Sequence, residues 1–244
     1  MGTGRMGRCL AFLLGKHCDL TVCSRDPRKA KALARKAGTK AADYRGCEKK
    51  DVVFLAVPTQ DLVEVASKVS NLMPAGALLV DVSSIKCGIV EVIERSLPER
   101  LYYISAHPLF TSHRVRLKNA MLVPVRAGQW MERLRQLLVM AGMEVREASA
   151  EEHDMIMAAI QVTHHFALLS LRESLRRAGF RDLKELEPFM THSMAKTIGA
   201  LRLIESNMET IEMIQEKNKY AQSARQRFIE EAKRLDERYR PSSA

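Results

Sequence analysis

Across its 244 residues the chain has no run of about 18 apolar residues, so no transmembrane helix is expected. Its N-terminus lacks the basic, apolar and small-residue succession of a signal peptide. Cysteine is sparse: five residues, at 9, 18, 23, 47 and 87, with no C-x-x-C pair. An odd number so scattered argues against a disulfide framework or a zinc site, and predicts free thiols in a reducing cytoplasm. Aromatic residues make up only 5%. No basic stretch is interleaved with them, so the net charge of +10 carries no nucleic-acid signature. A solvated basic surface accounts for most of that charge, and anionic small-molecule partners fit the excess equally well. No internal repeat occurs.

What is present is core-forming material, 46% apolar, enough for one large domain or two modest ones. The first part alternates β-like runs with helical patterns. Leu20–Ser24 reads as a strand. A helix follows in "DPRKAKALARKAG", with Asp26 as N-cap, Pro27 in the first turn and Gly38 as the stop. Asp51–Pro58 is a continuous apolar run, as in a parallel strand covered on both faces. A helix across Asp61–Leu72 leads to the strand "ALLVDVSS", the helix "GIVEVIERSL" and the strands "YYISAHP" and "NAMLVPV". The helix "WMERLRQLLVMAG" and a short strand "MEVREA" complete the series. This alternation predicts an α/β domain over 1–148, a Rossmann-like doubly wound parallel sheet.

From 149 to 244 the periodicity is helical throughout. "SAEE" reads as a capping box of Ser149 with Glu152. Asp154–Arg177 is expected as one long helix and Pro188 as a break. "METIEMIQEKNKYAQSARQRFIEEAKRLDERY" is expected as another long amphipathic helix, and only the tail "PSSA" as disordered. So small a helical half, with apolar stripes and no sheet to cover them, predicts a homodimer built on it.

The chain opens "MGTGRMGRCL". Gly2-x-Gly4-x-x-Gly7, with Arg5 and Met6 inside it, has the glycine spacing of a dinucleotide-binding turn. An ordinary tight turn can share that spacing, but the context adds to it. Arg8–Leu14 is helix-like, so N–H groups of the turn can face a pyrophosphate at a helix N-terminus. The next strand ends at Ser24, Arg25 and Asp26, where the ribose-reading residue belongs. A carboxylate there would accept from a free 2′-hydroxyl. The Ser24 hydroxyl and Arg25 guanidinium suit a 2′-phosphate instead, and Asp26 reads better as the helix cap. NADP is therefore expected in preference to NAD. Only Met1 precedes the turn, whereas a strand needs about 5–6 residues. The expectation is an empty or distorted strand position between Leu20–Ser24 and Val52–Val57, from a start site set several codons late or a truncated chain, with another segment filling the slot as the lesser alternative.

Three later stretches carry candidate chemistry. "DVSSIK" (Asp81–Lys86) and "SAHPLF" (Ser105–Phe110) fall at strand ends, where α/β sheets place ligands. "EEHDMIMAAIQVTHHF" puts His153, His164 and His165 on one helix. Singly, such histidines are more often structural than catalytic. Together with the glycine turn and the "AVP" strand end, these stretches resemble the prephenate and arogenate dehydrogenase family over nearly the whole chain. The resemblance implies oxidation of prephenate or arogenate with NAD or NADP and loss of CO2. It also implies a nucleotide-binding domain paired with a helical dimerisation domain.

By the same resemblance Val57 and Pro58 line the cofactor, and Ser84 hydrogen-bonds the catalytic histidine and substrate. His107 engages the substrate's ring hydroxyl, and His165 lies near the substrate. Arg202 binds a substrate carboxylate, although "ESNMETI" departs from the acidic-proline sequence expected after it. His153 falls on a His-Asp pair common in the family. No metal is implied. Two rival readings are a different NADP oxidoreductase, deazaflavin-dependent or imine-reducing, and a non-catalytic NADP sensor. "GTGRMG", "SRDPRKA" and "AVP" fit the oxidoreductase equally well, whereas "HPLF" and the histidine-bearing helix do not.

Overall fold

A computed structural model describes Met1–Arg240; the tail read as disordered, Pro241–Ala244, lies outside the described residues. The chain forms two compact units, Met1–His153 and Asp154–Ala244.

In the first unit helix α1 (Arg5–Leu14) leads to strand β1 (Thr21–Cys23), helix α2 (Pro27–Ala37) and strand β2 (Lys40–Ala42). Strand β3 (Val52–Leu55), helix α3 (Leu62–Ser70), strand β4 (Leu78–Asp81) and helix α4 (Ile89–Ser96) follow. Strands β5 (Tyr102–Pro108) and β6 (Asn119–Arg126), helix α5 (Trp130–Met140) and strand β7 (Glu144–Glu147) complete it. The caps of α2 are those read from sequence. Asp26 accepts from the N–H groups of Arg28 and Lys29, Pro27 starts the helix, and Gly38 ends it at φ +65°.

The order β3-β4-β5-β6-β7 forms one sheet, and β1-β2 forms a separate parallel pair. Strand alternation sorts the main sheet into two packed faces. Leu78, Val80, Ile104 and Leu122 bury against α1 and α5 through Leu10, Leu14, Leu134 and Leu138. Leu79 and Tyr103 face the other way, against Val65, Val69 and Ile93 of α3 and α4. One pairing departs from the expected all-parallel sheet: β6 runs antiparallel to β5, His107 opposite Met121. Hydrophobic runs report burial, not direction, so the sequence could not show this.

Strands β1 and β3 do not pair with each other. Between β1 and β3 lies a gap of about 270 Å³, lined by Leu10, Leu14, Val22, Val53 and Phe54 among others. Lys50 bridges it where the two strands begin, donating to Asp19 O at 3.1 Å and Asp19 Oδ2 at 3.0 Å, and Met1 and Gly2 bridge it where they end. Gly2 N–H donates to Cys23 O at 2.9 Å, Ala56 N–H donates to Met1 O at 2.7 Å, and the terminal amine donates to Phe54 O.

In the second unit the run expected as one long helix is continuous but changes pitch. Helix α6 (Ala150–Met157), in which the unit boundary falls, passes through a π-helical turn at Ala158–Val162 into α7 (Thr163–Arg177). The capping box before it forms: Ser149 N–H to Glu152 Oε2 at 2.8 Å, Glu152 N–H to Ser149 Oγ at 3.1 Å. This 28-residue run is long enough to span a membrane, with a mean hydropathy of 1.2 in its most apolar window. It packs within the unit, however. Phe166 meets Phe228 edge-on, and Leu168 clusters with Ile198, Leu201, Ile204 and Ile211.

A 3-10 turn at Leu183–Phe189 holds the expected Pro188 break. Helices α8 (His192–Glu205), α9 (Met208–Lys217) and α10 (Ala221–Arg238) follow. The helix expected to run on from Met208 thus breaks at Asn218. That side chain is buried, donates to Asp154 O at 2.9 Å and accepts from Tyr220 N–H at 2.9 Å. A side-chain amide that serves backbone groups in this way competes with the helix and ends it.

Candidate functional site

The glycine turn is shaped by close approach. A Cβ on Gly2, which has φ +107°, would lie 2.1 Å from Ala56 O, and one on Gly7 would lie 2.2 Å from Gly2 O. Gly4 differs: it caps α1 in extended conformation, and a Cβ there would meet nothing within 4 Å. Among the described residues no side chain caps α1, and N–H groups at such a helix start suit an anionic ligand. They open on a cavity of about 620 Å³ lined by Gly2, Thr3, Gly4, Arg8, Ser24 and Arg25, with Val57 and Pro58 on another wall. Arg5 is exposed on α1 and Met6 packs partly into the core. A cation-rimmed cavity over a helix start without a side-chain cap fits the pyrophosphate and ribose of a dinucleotide.

At the far end of β1, Ser24 Oγ accepts from Asp26 N–H at 3.3 Å. Two backbone N–H groups hold the Asp26 carboxyl below its usual pKa. That carboxylate is therefore occupied as a cap. Arg25 reaches across to Asp61 at 3.2 Å with its side chain 75% exposed.

A buried polar cluster joins the C-terminal end of β4 to the first half of β5. Asp81 Oδ1 accepts from Ser83 N–H at 2.8 Å and lies 2.6 Å from Ser83 Oγ, while Oδ2 accepts from Tyr103 OH at 2.8 Å. Lys86 Nζ donates to Ser83 O at 2.9 Å, and to Ser105 Oγ and Ala106 O at 2.7 Å each. Burial alone would raise the Asp81 pKa, but the Lys86 charge and hydrogen bonds from Ser105 and Ser83 outweigh it and hold the carboxyl ionised.

His107 stands next along β5, 4% exposed, with its Nδ1 2.9 Å from Nε2 of the fully buried His153. Burial, then the Lys86 charge and the neighbouring imidazole, push the His107 pKa well below the usual histidine value. A neutral imidazole at a strand end can accept a hydrogen bond at neutral pH.

Ser84, the serine singled out from sequence, is half-buried on the loop after β4; the serine woven into the buried cluster is its neighbour Ser83. Lys86, Asp81 and Tyr103 were not foreseen as site residues. The signal available was an Asp closing an apolar strand and a Lys five positions on.

In the helical unit His165 is half-buried, and its Nδ1 has no hydrogen-bond partner among the described residues. Burial, then His164, lower its pKa to about 4. Arg202 lies on α8, half-exposed, paired with Glu187 at 2.7 Å.

A glycine turn over a nucleotide-sized cavity, on a wound sheet followed by an all-helical unit, defines a Rossmann-type dinucleotide-binding protein. Residues 10–122 match the family model of the prephenate dehydrogenase nucleotide-binding domain, and residues 149–242 match that of the prephenate dehydrogenase dimerization domain. The chain belongs to the prephenate dehydrogenase family.

It is 27% identical over 247 residues to a probable arogenate/prephenate dehydrogenase of Methanocaldococcus jannaschii, covering 97% of this chain and 55% of that protein. The chain spans about half the length of the curated relatives it matches. Its fold is similar to that of prephenate dehydrogenase from Aquifex aeolicus, solved with hydroxyphenyl propionate and NAD+. That match has a TM-score of 0.78 at 19% identity and covers 97% of this chain and 87% of the other. Synechocystis arogenate dehydrogenase matches with a TM-score of 0.70 at 19% identity, covering 97% and 88%.

Proposed function

We propose that this chain catalyses the NADP-dependent oxidative decarboxylation of prephenate or arogenate to 4-hydroxyphenylpyruvate or tyrosine. The observation that carries the reading is His107, a buried, neutral imidazole at the C-terminal end of β5 in a dinucleotide-binding unit. The bound nicotinamide would take hydride from the carbon bearing the hydroxyl. His107 Nε2 accepts the hydroxyl proton as the carbonyl forms. The ring carboxylate leaves as CO2, its electron pair completes the aromatic ring, and the proton returns to the phenol oxygen. Proton uptake and return cancel, so His107 acts first as base and then as acid, with no net proton exchanged with solvent.

Ser84 is assigned to the same hydroxyl. Arg202 and His165 are assigned to substrate binding. The Arg202–Glu187 pair is exposed and of little worth, so a substrate carboxylate can replace Glu187 at small cost. Ser24 and Arg25 support NADP over NAD, because no carboxylate at the β1 end is free to accept from a ribose hydroxyl. The five free thiols fit a reducing cytoplasm. Exposed Met155, Ile156, Ile160 and Phe189 support a homodimer through the helical unit.

Steady-state assays with both substrates and both nucleotides test the reading. Reduced NADP forming only when prephenate or arogenate is present is the expected result. Binding of NADP without turnover on either substrate would leave a nucleotide sensor in its place.

A further inference from the structure

We infer that His153 is a positioning residue that fixes the tautomer of His107; the inference rests on the proposed role of His107. The two imidazoles face each other at 2.9 Å, Nδ1 of His107 to Nε2 of His153, with rings inclined at 55°. Both side chains are buried. A hydrogen bond between two imidazole nitrogens needs one bearing a proton and one bare. Only two arrangements of the neutral pair satisfy this. If His153 donates, His107 keeps its proton on Nε2 and can only donate to a substrate hydroxyl. If His107 donates through Nδ1, its Nε2 is bare and accepts the hydroxyl proton. The reaction requires the second arrangement, in which His153 is the Nδ1–H tautomer and presents a bare Nε2.

The surroundings favour a neutral, oriented pair. Lys86 Nζ is bonded to the carbonyl of Ala106, the residue before His107, and its charge opposes a resident imidazolium. Asp81, Tyr103 and Ser105 are committed to the Lys86 cluster. His153 is held in place by its helix start, with its own N–H on Ser149 O at 3.0 Å beside the Ser149–Glu152 capping box. A carboxylate in its position would also orient the ring, but would raise the His107 pKa and retain the proton after the step. A neutral imidazole orients His107 without holding that proton back, which suits a proton lent and returned.

The test pairs kinetics with nitrogen-15 NMR of histidine-labelled protein. In the unsubstituted protein His107 should show a protonated Nδ1 and a bare Nε2. His153→Phe should turn that signal into a tautomer mixture. It should lower kcat by about tenfold to a hundredfold, by analogy with the loss of a side chain that orients a metal-ligating histidine. KM for substrate and affinity for NADP should be unchanged. His153→Gln, whose amide carbonyl can accept from Nδ1–H, should recover most of kcat, and it serves alone if the Phe variant does not fold. A protonated Nε2 on His107 in the unsubstituted protein, or an unchanged kcat in His153→Phe, overturns the inference. The tautomer is read without turnover, so an inactive but correctly protonated protein would instead overturn the proposed reaction.

Discussion

Lys86 Nζ lies 3.6 Å from Asp81 Oδ1, and both side chains are fully buried. Neither charge reaches water, so each is tolerated only because the other is there. Lys86→Met should destabilise the first unit by about 3–5 kcal/mol, the cost of leaving one buried charge unpaired. Lys86→Met combined with Asp81→Asn should recover much of that loss, since no charge is then stranded. Urea unfolding of the two variants measures both effects, and equal losses in each would show that the two charges are not coupled.

The histidines set a pH dependence of defined sign. Unfolded His107 takes up a proton near about pH 6.5; folded His107 does so only well below that. Between those values the unfolded chain binds more protons, so stability is full above about pH 6.5 and falls as pH drops through the window. His165, pushed down to about 4, adds to the slope in the same direction. The acid limb of kcat/KM should likewise lie well below 6.5, because neutral His107 is the working form. Urea midpoints that stay flat from neutral pH down toward 5 would contradict this.

Cofactor choice turns on the end of β1. Arg25→Ala should weaken NADP binding by about 1.5–3 kcal/mol, the worth of a hydrogen bond to a charged group, with little effect on NAD. The Arg25–Asp61 pair is exposed and weak, so turning Arg25 toward a phosphate costs little. Asp26→Ala should lower stability by removing the α2 cap while leaving nucleotide preference in place. Isothermal titration with both nucleotides decides it. Equal affinity for NAD and NADP in the unsubstituted protein would refute the assignment.

Legibility followed locality. Asp26, Pro27 and Gly38 act through backbone groups a few positions away, so the ends of α2 could be read directly. His107 was legible because "SAHPLF" falls at a strand end, where α/β sheets place ligands, and the family resemblance singles it out. Strand β2 was missed because Lys40–Ala42 has no branched or aromatic residue and its partner β1 lies across a helix. Asn218 looked like one more polar position on a helix; its buried bond to Asp154 O is set by packing. The His107–His153 contact joins residues 46 apart, and neither periodicity nor spacing encodes which nitrogens meet.

The gap between β1 and β3 yields the most direct physical test. Its walls are the apolar side chains of Leu10, Leu14, Val22, Val53 and Phe54, and strand-edge backbone groups of β1 and β3 border it. Met1 and Gly2 already bond to Phe54, Ala56 and Cys23 across its mouth, in the place of the last rungs of a strand. Residues added before Met1 would therefore run directly into the slot. Six to eight apolar residues there, about one strand's length, should pair β1 with β3 and join the two sheets. They would bury apolar side chains against the walls and satisfy backbone groups that otherwise need water or strain. They would also anchor the glycine turn from behind, fixing the N–H groups of α1 that face the nucleotide cavity. The extended protein should melt at a higher temperature and bind NADP more tightly than the 244-residue chain. A polar, glycine-rich extension of equal length is the control, and should do neither. If the apolar extension melts no higher than this control, the gap is not a strand site.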